Sequence, residues 1–531
     1  MIRDTITRRE LFRRSGGLTF PLLLGRGAAA SAAAPAAAPP SAGLRIGPDI
    51  YQSIGVRSFV NARGTYTVLS GSLMLPEVRA AMEAASRHYV HLDELNEAVG
   101  ARLAALTGAE WGLVTSGCAA ALTHATAACV AGGNPDLHVR IPNLSGFAKD
   151  EAVIPKHSRN VYDAALRAVG VRIVEVATVE ELEAALGPRT ALVYIFAGPN
   201  AERGPLTTRV IAEIANRRQV PVLVDAAAEI LNVPNVHLQA GATLVGYSGG
   251  KCLRGPQTAG LLLGRKDLVR AAWVHSAPHH GFARAMKVGK EEAIGMLMAV
   301  EMWMKRDHEA EWKLWASWLD HIARRVTAID GVTTAVLPPE GLSNRTPSLE
   351  VYWDGPRFGF DGDAVAADFF GSAPRVALNA AEQAPAPLTG VSITPYMLSP
   401  GDEKTIAERL HALLSKPVRR EVARPSAPSG DLTGTWDVSI TYAAAASTHR
   451  LHIRQRGAQL DGSHQGDFVS RDLTGTIDGT DVRIESRYTE ENGDALTFRF
   501  KGRLTGDDLA GELDMGEYQR ARWTAKRRGR G

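Results

Sequence analysis

The chain has 531 residues, 45% hydrophobic and 22% charged, with a formal net charge of +3. That balance belongs to soluble globular proteins, and the length predicts two or three domains with ample material for their cores. Its three cysteines, Cys118, Cys129 and Cys252, are too few, and odd in number, for a disulfide framework or a cysteine metal site. No run reaches the roughly 18 apolar residues of a membrane-spanning helix.

Residues 1–42 read as a processing signal. Thr7-Arg8-Arg9-Glu10-Leu11-Phe12 matches a twin-arginine export motif. An apolar run at 18–24 and an Ala/Pro-rich stretch with small-residue cleavage options follow it. The other reading is a disordered basic tail. The first 40 residues carry six arginines and two acids, so the basic balance belongs to this segment. Nothing argues for a nucleic-acid partner. The expected location is periplasmic or extracellular, and the twin-arginine route carries folded proteins, so a cofactor can be loaded before export.

Beyond the signal, residues 43–300 alternate strands and helices. Residues 76–88 place Val78, Met82, Ala85 and Tyr89 at helical spacing. Residues 110–122 read as a short strand, a Ser116-Gly117 turn and an alanine-rich helix. The start of such a helix offers unpaired N–H groups and a partial positive charge, a seat for a phosphate. The alternative is an ordinary helix capped by Ser116. His157 follows an apolar strand at 152–154. The continuous apolar run at 191–196 suits a buried parallel strand, and residues 210–218 read as the crossover helix before Val222-Leu223-Val224-Asp225.

Lys251 lies 26 residues after Asp225, in Ser248-Gly249-Gly250-Lys251. An apolar run ending in Asp, then one ending in Ser-Gly-Gly-Lys, is the pattern of a pyridoxal 5'-phosphate (PLP) site of the aspartate-aminotransferase fold. The lysine amine forms a Schiff base with the cofactor aldehyde, and the aspartate keeps the pyridine nitrogen protonated, which makes the ring the better electron sink. The glycines are expected to let the backbone pass close to the ring. Ser248 is placed to donate its hydroxyl to the phosphate.

A helix over 296–307, a second segment at 312–329 and a smaller α+β region complete residues 301–416, the expected small domain. Arg375 there, in Pro374-Arg375-Val376, and Arg63, in Asn61-Ala62-Arg63-Gly64-Thr65, are the candidates to hold a substrate carboxylate in plane. The adjacent His279 and His280 point apart, so no metal is expected. Residues 417–430, rich in Pro, Arg and Ser, read as a linker. Residues 431–531 repeat Leu-Thr-Gly-type turns about every ten residues between alternating runs, the pattern of an antiparallel barrel or sandwich of about eight strands.

Over about residues 50–415 the chain resembles the bacterial selenocysteine synthase family, L-seryl-tRNA(Sec) selenium transferase and its D-glucosaminate-6-phosphate ammonia-lyase relatives. The resemblance rests on the run from Ser248 to Leu268, on Gly55-Val56-Arg57, on Asn61 to Thr67, on Leu106 to Glu110 and on Met286 to Glu292. It implies PLP-dependent transferase fold type I, a large α/β/α domain plus a small α+β domain. By it Lys251 is the Schiff-base lysine, Asp225 the pyridine-nitrogen partner and Ala227 the residue flat against the ring. Ser116, Gly117, Cys118, Ala119 and Ser248 hold the phosphate, and His157 stacks on the ring. The resemblance also implies a homodimer or higher homo-oligomer.

The expected activity is a PLP-dependent lyase or transferase acting on a small amino acid or amino-sugar acid, with β-elimination or ammonia loss first and aminotransfer as the alternative. Selenium transfer is disfavoured, because its charged-tRNA substrate is cytoplasmic. A further alternative is a non-catalytic binder of PLP or an amino compound whose β-domain recognises a sugar.

Overall fold

The computed structural model describes residues 43–382, 384–416, 426–489 and 495–529. The expected export signal and most of the expected linker lie outside these residues. The chain divides between Ser58 and Phe59 into two units. In the first, the described residues hold one turn of 3-10 helix, Gln52–Ile54.

In the second unit a seven-stranded sheet is built from β1 (Trp111–Thr115), β2 (Glu151–Pro155), β3 (Arg172–Val176), β4 (Thr190–Phe196), β5 (Val222–Asp225), β6 (Leu244–Ser248) and β7 (Gly260–Gly264). Their spatial order is β1-β7-β6-β5-β4-β2-β3. Only β7 runs antiparallel to its neighbours. The strands are apolar on both faces because both faces are covered. Alternate residues serve opposite layers: Val193, Ile195, Val224 and Val245 join one core, while Leu192, Tyr194, Leu223 and Leu244 join the other.

Helices α1 (Pro76–Ser86), α2 (Leu92–Thr107), α3 (Cys118–Ala131), α4 (Thr208–Arg217) and α5 (Lys266–Val274) complete this part. Every residue of α3 is buried except Ala119. Two long helices follow, α6 (Lys290–Lys305) and α7 (His308–Val326). The first begins six residues earlier than the expected 296, with Glu291 and Glu292 in its first turn, where the helix dipole favours acids.

The smaller α+β part has a four-stranded antiparallel sheet of β8 (Val332–Leu337), β9 (Ser348–Asp354), β10 (Asn379–Ala380) and β11 (Leu388–Ile393), in the order β10-β11-β9-β8. Helices α8 (Gly362–Gly371) and α9 (Asp402–Leu414) accompany it. Its separate core centres on Leu319, Ile322, Trp353, Phe369, Ile406 and Leu410. A short parallel ladder pairs Val60 with Val376 and Asn61 with Ala377, and Thr394 N donates to Ala62 O at 2.8 Å. These bonds fix the 61–65 segment against the small part.

The C-terminal strands β12 (Gly434–Thr441), β13 (Ala446–Arg456), β14 (Gln459–Gln465), β15 (Ser470–Asp478), β16 (Asp481–Thr489), β17 (Ala495–Thr505), β18 (Asp508–Asp514) and β19 (Arg520–Arg527) form a closed barrel. Each pairs antiparallel with the next, and β12 closes on β19. Closure decides between barrel and sandwich here, and Trp436, Val438 and Ile440 alternate into one core of residues between 432 and 525. The end of the expected linker is tied to this barrel, since Ser426 N donates to Asp478 Oδ1 and Ser429 N to Gly479 O. Its interior holds a polar chain. Ser486 Oγ lies 2.6 Å from His464 Nδ1, His464 Nε2 lies 2.8 Å from His449 Nδ1, and His449 Nε2 lies 3.5 Å from Asp467. Burial pushes the His464 imidazole down to about 3, the neighbouring His449 adding to it, and burial lowers His449 as well.

Candidate active site

Asp225 ends β5 at the middle of the large sheet, on the carboxyl edge where such sheets place ligands. Its carboxylate is buried and accepts three bonds: from Tyr194 Oη at 3.1 Å, from Ala227 N at 3.1 Å and from Cys118 Sγ at 3.5 Å. Burial raises its pKa, while Ala227 N–H, the Tyr194 hydroxyl, the Lys251 ammonium and Cys118 hold it down. The Cys118 thiol is pushed well up, by burial first and then by Asp225 itself, and the Tyr194 hydroxyl likewise. Both neighbours therefore stay protonated and serve the carboxylate as donors.

Asp225 and Lys251 open on one cavity of about 640 Å³, whose wall also includes Gly117, Cys118, Ala119, Ala227, Ser248 and Arg63. The Lys251 side-chain amine makes no ion pair or hydrogen bond among the described residues, so it is free for covalent work. The glycines before the lysine also answer to the protein's own packing. A Cβ on Gly249 would come within 2.7 Å of Met296 Sδ and 2.8 Å of Ala259 O, and one on Gly250 within 2.7 Å of Gln257 Cα. The protein's own chain, packed on the lysine turn, demands them.

The N-terminus of α3 begins at Gly117, with φ 85°, and no side chain caps it. Ser116 is therefore neither the cap nor part of the wall; Gly117, Cys118 and Ala119 are. Ala119 is exposed because it faces the cavity. An uncapped helix start, the Ser248 hydroxyl, a buried carboxylate and an unpaired lysine are the donor set that PLP requires: phosphate at the first, ring nitrogen at Asp225, aldehyde at Lys251.

Arg63 is shaped for this place by an Asx turn, in which Asn61 Oδ1 accepts from Arg63 N and Gly64 N, both at 3.0 Å. Its Nε is buried with no hydrogen-bond partner. Arg375, the other candidate, is placed elsewhere. Its Nε donates to Phe370 O at 2.7 Å, and its guanidinium lies 3.8 Å from the Phe370 ring centroid. It is not in the cavity wall, because aromatic stacking has claimed it. His157 is likewise outside the wall, on the 3-10 turn Lys156–Ser158, with its pKa lowered by burial. Aromatic surface comes instead from Phe196 and Tyr162, stacked at 6.4 Å. His279 and His280 belong to no metal cluster among the described residues.

Sequence reasoning missed the small part's contribution. Tyr396 Oη accepts from Thr65 N at 3.1 Å, lies 2.9 Å from Thr65 Oγ1 and donates to Asn344 at 3.1 Å. With Ser343, Thr346, Ser348, Asn379 and Thr394 it gives the cavity a hydroxyl- and amide-rich wall.

The sheet order together with this donor set defines a PLP-dependent enzyme of fold type I. The Aminotransferase class-V family model matches residues 149–281. The chain is 34% identical over 294 residues to D-glucosaminate-6-phosphate ammonia lyase of Salmonella typhimurium, covering 54% of this chain and 77% of that one. It is 33% identical over 377 residues to 5'-C-glycyluridine monooxygenase-decarboxylase of a Streptomyces species, covering 68% and 92%. A solved structure of D-glucosaminate-6-phosphate ammonia-lyase superposes with a TM-score of 0.62 at 29% identity, over 69% of this chain and 98% of that one. The chain belongs to the class-V, selenocysteine synthase-like family of PLP-dependent lyases and transferases.

Proposed function

We propose that this enzyme removes the Cα proton of an amino acid or amino-sugar acid and expels a β-substituent with loss of ammonia, and that it works after export by the twin-arginine route. The ammonia-lyase relative, at 34% identity, supports the reaction class. The chemistry rests on one observation, a buried three-donor carboxylate, Asp225, sharing a cavity with an unpaired lysine. When bound, PLP supplies an electron sink for the charge left at Cα. Asp225 would hold the proton on the ring nitrogen, and its three donors oppose the burial that raises its pKa. Lys251 would hold the cofactor aldehyde and would be the base that takes the Cα proton. Arg63, in the cavity wall, would take the substrate carboxylate. The polar wall from Asn344 to Ser348, with Asn379 and Thr394, suits hydroxyl groups on the remainder of the substrate.

The class-V aminotransferase match favours one other reading, transfer of the amino group to an acceptor. A panel of amino acids and amino-sugar acids, scored for ammonia and 2-oxo acid with and without an added oxo-acid acceptor, separates the two. Product without acceptor is expected; strict dependence on acceptor makes the enzyme an aminotransferase. The export proposal rests on Arg8 and Arg9. Changing both to lysine should trap the precursor in the cytoplasm, and continued export would mean another route.

A further inference from the structure

A second cavity, of about 570 Å³, shares only Tyr396 with the first among the described residues. It is lined by α6, α7 and the segment 396–400, and it reaches Cys252, the residue after the lysine. Its volume is that of a small-molecule site. Trp312 and Trp315 supply aromatic surface, with ring centroids 6.4 Å apart and planes at 53°, while His308 and Arg306 pack on Trp303.

The charge in this cavity is unbalanced. Three arginines line it, Arg254, Arg306 and Arg345, against one carboxylate, Glu311. Glu311 is already taken, bonded by Arg306 through Nε and Nη2 at 2.8 Å each. Arg345 makes no hydrogen bond or ion pair among the described residues. Among the described residues, Arg254 donates from its guanidinium only to Leu73 O, at 3.0 Å, and its pKa is depressed by burial and by Arg306. Its backbone is left-handed, with φ 54°, a conformation that a non-glycine residue keeps only where the surroundings enforce it. Asn232, also in the wall, has a buried Oδ1 with no donor. A cationic ligand would meet three arginines here, and an uncharged apolar one would leave the Arg254 and Arg345 guanidinium groups in the wall without an anion.

We propose that this cavity is a second ligand site, which takes a small planar aromatic anion with its ring on Trp312 and Trp315 and its charge on Arg254 and Arg345. The site stands apart from the PLP chemistry. Among the described residues, Tyr396 is the one that lines both cavities.

The test uses the PLP-loaded full chain with 2-naphthoate as probe and 2-naphthamide as its uncharged counterpart, followed by calorimetry and tryptophan fluorescence. One naphthoate per chain is expected. Arg345→Ala and Trp312→Ala should each weaken binding by roughly 10-fold or more, the amide should bind weaker by a similar factor, and Arg63→Ala should leave binding unchanged. The exposed Arg345 can be removed without disturbing the core, and an unaltered PLP absorbance checks this. If Trp312→Ala does not fold, Arg345→Glu decides alone. Absence of binding, equal binding of the amide, or binding weakened by Arg63→Ala but not by the Arg345 variants would overturn the proposal.

Discussion

Tyr194→Phe removes one oxygen from the centre of the molecule. The Tyr194 hydroxyl donates to Asp225 Oδ2 at 3.1 Å and accepts from Asn160 Nδ2 at 3.2 Å. Asn160 Nδ2 keeps a second bond, to Ser158 O at 2.7 Å, so the deletion strands no donor on that side. Asp225 keeps Ala227 N and Cys118 Sγ but loses one of its three donors. A hydrogen bond to a charged group contributes about 1.5–3 kcal/mol, and 1.36 kcal/mol corresponds to one pKa unit, so the carboxyl should rise by roughly 1–2 units. The direction follows from the cause. Burial already raises this group and its donors lower it, so a lost donor moves it further up and leaves less carboxylate at a given acid pH. If ionised Asp225 holds the ring proton of the cofactor, the acid limb of kcat/KM should move to higher pH by that amount, with the plateau at neutral pH little changed. The assay is a pH profile of kcat/KM for parent and variant on the best substrate of the panel. A variant with full activity and an unmoved acid limb would refute the reasoning, since Asp225 would then not be the group whose ionisation limits turnover.

Lys251→Ala should abolish turnover and the visible absorption band of the bound cofactor, measured on purified protein; a coloured, active variant would place the covalent lysine elsewhere. A chain ending at residue 420 should keep both the PLP spectrum and a homodimeric mass by light scattering, because the barrel core contains only its own residues; a colourless or monomeric product would make the barrel part of the enzyme core. His464 is held near 3 in the barrel, against about 6.5 for an exposed imidazole, so the unfolded chain binds more protons between those values. Barrel stability should therefore fall as pH drops below about 6.5, and His464→Leu should flatten that dependence in thermal melts compared at pH 7 and 5; equal slopes would exclude His464 as the cause.

Local signals are what the sequence makes legible. Asp225 stands out because it closes an apolar strand at the sheet's carboxyl edge, Lys251 because it follows the end of the next such strand at Ser248 by three residues, and Arg63 because an Asx turn is written in adjacent residues. The barrel is readable for the same reason, since period-two alternation and glycine turns are short-range features. Tyr194 escapes notice because it sits in the apolar run of β4, where nothing in the order of residues says which hydroxyl meets a carboxylate. Tyr396 is hidden by distance, being 331 residues from the Thr65 it bonds. Arg375 shows the opposite failure: its sequence suits a carboxylate clamp, but Phe370 and Phe59 hold it at 3.8 and 5.8 Å from their centroids. His157 lies in the right stretch, yet it is Phe196 and Tyr162 that reach the cavity.

The pairing of β12 with β19 has a use in protein engineering. Arg527 Nη1 bonds Thr433 O at 2.7 Å, so the chain enters and leaves the barrel at neighbouring points. A module whose two ends meet can be spliced into a surface loop of an unrelated host without prying that loop apart, or reopened at any of its hairpins and rejoined through a short bridge. Closure also leaves no free strand edge to recruit foreign strands. Residues 431–529 therefore form a transplantable cassette, suited to carrying whatever its outer face binds onto another scaffold.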